Sequence, residues 1–218
     1  MQFNKLTLET PSGILEAQKI AILCEDDLAI SYLKKLIKKS EILKLVSFHS
    51  NLNNDTVNNG TSYTSLSNLC KNFPLLLQNS IVVFDADVDD AVTKKINDKT
   101  TYLLLPDEEK LAIERRIVCF ILELDGDDQF FHKFNEKHWF EDQFKQAGIE
   151  SLTPADVKNE KVVSITSCKA WANINLSEFK KYLTYYSSKL KNREDFIKLF
   201  IQRINLINKR KGLPLLSE

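Results

Sequence analysis

Residues 22–37 read ILCEDDLAISYLKKLI, an apolar run that stops on three consecutive acids, Glu25, Asp26 and Asp27, and then turns amphipathic. Lys19 to Leu23 (KIAIL) has the composition of a short buried strand, and Leu28, Tyr32, Leu33, Leu36 and Ile37 then recur at helical spacing. The unit is strand, acidic joint, helix. A second joint of the same kind lies further on, where Ile81 to Phe84 (IVVF), wholly apolar like a central parallel strand, runs straight into DADVDD. Two strands therefore carry acids at their carboxyl ends.

Around these two joints the pattern keeps alternating. The apolar run Ile42 to Phe48 (ILKLVSF) precedes a polar tract, HSNLNNDTVNNGTSYTS, whose Asn, Ser and Thr content marks a long loop. Leu66, Leu69, Cys70 and Phe73 predict a short helix before Pro74. Thr101 to Leu105 (TYLLL) predicts a further strand closed by Pro106, and Leu111, Ile113, Ile117, Val118, Ile121 and Leu122 predict a long amphipathic helix. Alternation of this kind argues for an α/β fold, a sheet of mostly parallel strands flanked by helices. Beyond Gly126 the pattern is mainly helical: one helix from Gln129 to Ala147, one strand in VVSIT, and two helices, 176–191 and 193–211. The expected division is an α/β core over 1–126 and a mostly helical extension over 127–218.

Composition narrows the function classes. At 218 residues and 43% hydrophobic, the chain is long enough to bury a substantial core. No apolar run reaches the roughly 18–20 residues of a membrane span, and MQFNKLTLETPSG lacks the basic-then-apolar order of a signal peptide, so a cytoplasmic location is expected. Cys24, Cys70, Cys119 and Cys168 are scattered with no CxxC pair, which points to reduced, buried thiols. Thirty basic and thirty acidic residues cancel, so no global field advertises a polyanion partner. The stretch FKKYLTYYSSKLKNREDFIKLFIQRINLINKRKG, from Phe179, is nevertheless basic and interleaved with aromatics: either a solvated helix face or a phosphate-tracking tail.

In an open α/β sheet, ligands bind at the carboxyl ends of the strands, so Glu25, Asp85 and Asp87 are expected to converge. Three carboxylates in one cleft repel one another unless a divalent cation separates them, and oxygen-only ligands suit Mg²⁺ or Mn²⁺. A hydrated metal there would orient a water and stabilise charge on a phosphoryl oxygen.

The ordered set of motifs resembles the TOPRIM domain: a strand ending in Glu25, a gap holding Gly60 ahead of a helix, and a strand ending in Asp85-x-Asp87. It is most similar to the nucleases of the OLD (overcoming lysogenization defect) family. The resemblance covers about residues 19–169. It implies that Glu25, Asp85 and Asp87 bind Mg²⁺ or Mn²⁺ and support phosphodiester cleavage, with Asp89 a further metal ligand. In YLLLPDEEKLAIERRI it offers Glu114 as another metal ligand. Lys169, at the end of the expected VVSIT strand, would then neutralise developing phosphorane charge as a catalytic residue. Asp26 departs from the family, which has glycine after the first glutamate. No GxxxxGK[ST] loop is present, so the resemblance implies a separate ATPase subunit, an antiphage defence setting, a DNA or RNA substrate and possible homo-oligomers.

Two other readings stand beside it. One is a non-catalytic interaction subunit on the same fold. The other is a receiver-like switch, in which acids after the first strand hold magnesium beside a phosphoacceptor, Asp85; YLLLPDEE, however, puts no Ser or Thr after the next strand. His49, His132 and His138 lack paired metal spacing, and Asp125-Gly126-Asp127-Asp128 reads as an exposed turn. Trp139 and Trp171 read as core or subunit-interface anchors.

Overall fold

The computed structural model describes residues 19–50 and 60–217. Most of the long polar loop, at 51–59, and the N-terminal stretch MQFNKLTLETPSG lie outside the described residues. The chain divides into two compact units, residues 1–106 with 191–218, and residues 107–190.

The first unit is the α/β part. Four parallel strands, β1 (Ile20–Cys24), β2 (Val46–His49), β3 (Ser80–Phe84) and β4 (Thr101–Leu104), stand in the order β2-β1-β3-β4. Every residue of β3 is buried, as a central strand with both faces covered requires. Its register sets Ile22 against Ile81 and Cys24 against Val83 on one side, and Val83 against Leu103 on the other. Helix α1 (Asp27–Ile37) follows β1, α2 (Ser40–Leu45) precedes β2, α3 (Tyr63–Asn72) precedes β3, and α4 (Asp90–Thr93) follows β3. Leu66 and Cys70 of α3 pack with Leu23, Val82 and Phe84 in one buried cluster. The alternate positions Ile22, Cys24, Ile81, Val83 and Leu103 are buried as well.

The second unit is helical: α5 (Ile113–Glu123), α6 (Gln129–Lys133), α7 (Lys137–Gln146), α8 (Pro154–Lys158), α9 (Ile165–Ile174) and α10 (Leu176–Lys189). Helix α5 is its axis and meets α8, α9 and α10. It buries two arginines as well as its apolar residues. Arg115 donates from Nη1 to the carbonyls of Val157 and, at 2.9 Å, Val163, and it pairs with Glu160. Arg116 grips Asp107 with Nε (2.6 Å) and Nη2 (3.1 Å) and also pairs with Glu109, while Lys158 ties Glu109 to Glu123 at 2.9 Å each. Tyr186 donates to Asp107 at 3.4 Å. Helix α11 (Arg193–Lys211) belongs to the first unit, where it lies against β3, β4 and α1.

The α/β class and the helical C-terminal half agree with expectation; several details differ. VVSIT is not a strand. Ser164 accepts the Thr166 N–H at 3.1 Å and caps α9, and the Val163 carbonyl is satisfied by Arg115 rather than by a neighbouring strand. The helix expected over Gln129–Ala147 breaks at residues 134–136, and Lys137, beyond the break, donates to the Leu122 and Leu124 carbonyls at the end of α5. The run 42–48 splits into the end of α2 and the start of β2. The expected boundary at 126/127 falls inside the second unit, and the basic stretch from Phe179 is shared between both: α10 buries Phe179 and Tyr182, and α11 buries Phe196, Phe200 and Ile204. All four cysteines are free and buried. No described helix is long and apolar enough to cross a membrane.

Candidate active site

The strand order places the site. With β2 on one side of β1 and β3 on the other, the chain reverses its winding direction between β1 and β3, and such a switch point leaves a crevice beyond the strand ends. Glu25 follows β1 and Asp85 follows β3 at that point. The two meet: a Glu25 carboxylate oxygen accepts the Asp85 backbone N–H at 3.3 Å. Both residues are half-buried, and Asp85 has its Oδ1 withdrawn from solvent.

Glu25 is also held from the β2 side. Its carbonyl accepts the Thr61 N–H at 2.6 Å, and the Thr61 hydroxyl donates to the Ser50 carbonyl just past β2 at 2.9 Å. Gly60 makes this approach possible. Its φ is +140°, and a Cβ there would stand 2.7 Å from the Glu25 carbonyl oxygen. The glycine picked out by its place in the motif is thus the one residue type that fits against the glutamate's backbone.

The remaining acids are placed differently. Asp26 is the N-cap of α1, its Oδ1 accepting the Ala29 N–H at 2.8 Å. Asp27 is exposed and accepts the Ser50 hydroxyl at 2.6 Å. Asp87 lies in the turn after β3, whose Ala86 and Val88 are buried while Asp87 itself is exposed. Asp89 caps α4 through an Oδ1 contact with the Ala91 N–H at 2.7 Å. Glu114, in the first turn of α5, and Lys169 belong to the second unit. Lys169 is exposed in the middle of α9; its expected place at a strand end is corrected, because the segment before it is a turn that leads into that helix.

Cys24 reports the electrostatics at the joint. Burial pushes its thiol far above the ordinary value, and the charges of Asp85, Asp26 and Glu25 push it further. Negative charge is concentrated where β1 and β3 end, and the fold keeps the neighbouring thiol protonated.

Among the described residues no three His, Cys, Asp or Glu side chains form a ready metal cluster. Glu25 and Asp85 are the residues that would hold Mg²⁺, a cation that keeps several waters and takes one or two protein carboxylates plus substrate phosphate. Mg²⁺ at that pair would supply Lewis acidity toward a phosphoryl oxygen. The sequence reading did not single out Arg115 and Arg116, although two adjacent arginines in a largely apolar helix are a visible sign of buried ion pairs.

Compared with protein-family models, with curated proteins and with solved structures, the chain matches none.

Proposed function

We propose that the chain is a metal-dependent nuclease subunit of TOPRIM type, cleaving phosphodiester bonds in DNA or RNA. The observation that carries this reading is the contact of Glu25 with the Asp85 backbone at the β1/β3 switch point, with Gly60 packed against the Glu25 carbonyl. Glu25 and Asp85 hold the cation. Asp87, exposed on the same turn, faces solvent and is reached by an incoming metal or a bound water. The resemblance further suggests a separate ATPase subunit in an antiphage system; Glu114 and Lys169 enter the reading only through it.

The test is incubation of the purified protein, alone and with candidate ATPase partners, on plasmid DNA and on RNA in Mg²⁺ or Mn²⁺. Metal-dependent nicking is expected from the native chain and not from the Asp85→Ala, Asp87→Ala double variant. Nicking that persists in that variant removes these residues from the site.

The strand order favours one second reading. A parallel β2-β1-β3-β4 sheet with an aspartate directly after β3 is also the arrangement of doubly wound phosphoacceptor domains. A small phosphodonor would then label Asp85, and the native chain would not nick nucleic acid under any metal.

A further inference from the structure

Away from the acidic joint, the first unit holds a cavity of about 300 Å³ between the segment leading into β4 and helix α11. Its lining includes Asn97, Asp98, Thr101, Tyr102, Arg203 and Arg210. Thr101 opens β4 and pairs with Ile81 near the start of β3, whereas Asp85 follows the end of β3, so the cavity lies toward the other end of the sheet from Glu25. Arg203 and Arg210 stand two turns apart on one face of α11.

The decisive group is Arg203. Its Nε is buried and has no hydrogen-bond partner among the described residues. Arg203 as a whole is half-buried, and an anion in the cavity would supply its guanidinium with an acceptor. Other donors line the same cavity. Asn97 commits its side-chain oxygen to the Lys99 N–H at 3.0 Å, which leaves the amide NH₂ as its remaining side-chain donor. Arg210 uses Nη1 on the Gln78 carbonyl at 3.3 Å and keeps the rest of its fork. Asp98 is the one carboxylate in the lining, and it is exposed.

We infer that this cavity binds a small phosphate monoester, nucleotide-sized at most, on Arg203 and Arg210. Two guanidinium forks match the charge of about −1.5 to −2 that a monoester carries near neutral pH and its planar pairs of oxygens. A volume near 300 Å³ is at the small end of ligand sites, which favours a small molecule over a polymer.

Calorimetric titration of the full chain with inorganic phosphate and with AMP, in EDTA at constant ionic strength, tests the site. Saturable binding of at least one probe is expected, weakened about tenfold or more by Arg203→Ala and by Arg210→Ala. Acetate should bind far more weakly. Asp85→Ala should leave the affinity unchanged, which separates failure here from failure of the nuclease reading. Arg203→Met, which keeps the aliphatic stem, should melt within a few degrees of the native chain without ligand, because no described group accepts from the Arg203 Nε. No saturable binding of either probe, equal affinity for acetate, unchanged affinity in both arginine variants, or a clear loss of melting temperature in Arg203→Met would each overturn the assignment.

Discussion

Replacing Gly60 with alanine tests whether the fold is built around Glu25. At φ +140° the backbone is in a region that L residues rarely occupy, and forcing one there costs about 1–3 kcal/mol. The new Cβ would also stand 2.7 Å from the Glu25 carbonyl oxygen, a backbone atom that cannot swing aside as a side chain does. Relief requires moving the carbonyl that accepts the Thr61 N–H at 2.6 Å, and loss of that bond adds about 1 kcal/mol. The sum is roughly 2–4 kcal/mol of lost stability, read as a lower urea midpoint at unchanged slope. For a chain of this length it is also a fall in melting temperature of very roughly 5–15 °C. Gly126→Ala is the control: a Cβ there meets nothing within 4 Å, so a change under about 0.5 kcal/mol is expected. Equal stabilities for the two variants would refute the claim that Gly60 is fixed by the glutamate's backbone.

Asp26→Ala should cost about 1 kcal/mol through loss of the α1 cap, whereas Asp26→Gly should cost only a few tenths, a difference that urea titration resolves. Arg116→Met leaves Asp107 buried without its guanidinium, and a loss of about 3–5 kcal/mol is expected; a change under 1 kcal/mol would show that the pair contributes little. Hydrogen bonds from Arg116 and Lys158 hold the Glu109 carboxyl below its usual 4.5. Its contribution is therefore present above pH 4.5 and lost as pH falls through the lowered value, so Glu109→Gln should flatten the acid limb of a stability-against-pH curve. Burial pushes the thiols of Cys70 and Cys119 up to about 12 and that of Cys168 to about 11. A thiol reagent at pH 8 should accordingly label few sulfurs in the native protein and four after denaturation.

The sheet was legible because its strands are short, apolar and bounded by acids, polar tracts or proline, and because burial on both faces leaves IVVF no polar position. The helical half was less legible where two signals competed. In VVSIT the β-branched residues favour a strand, yet Ile165, Cys168, Trp171 and Ala172 already repeat at helical spacing and Ser164 offers a cap. What decided between them was not local: Arg115, some fifty positions earlier, takes the Val163 carbonyl that a strand would have given to a neighbour. The return of α11 to the first unit, with Arg193 donating to the Leu36 carbonyl at the end of α1, is likewise a long-range pairing that no periodicity announces.

The acids show why composition at a strand end is a weak guide to chemistry and connectivity a stronger one. Asp26, Asp27 and Asp89 sit within a few residues of Glu25 or Asp85, but each has a contact that accounts for an acid at its position: a helix cap, a hydroxyl across the joint, a second cap. A cap needs any short acceptor at that position, so these residues would be acidic, amidic or hydroxylic whatever the protein does. Glu25 also acts at long range. It is too long to be a preferred cap, and it reaches across sixty positions of sequence to the Asp85 backbone. Glutamine at 25 would preserve that acceptor, and with it the fold, while removing the charge. Glu25→Gln is therefore expected to melt within a few degrees of the native chain and to lose metal-dependent nicking. A Glu25→Gln variant that melts far lower would make the residue a structural strut, and one that nicks normally would leave its charge without a role.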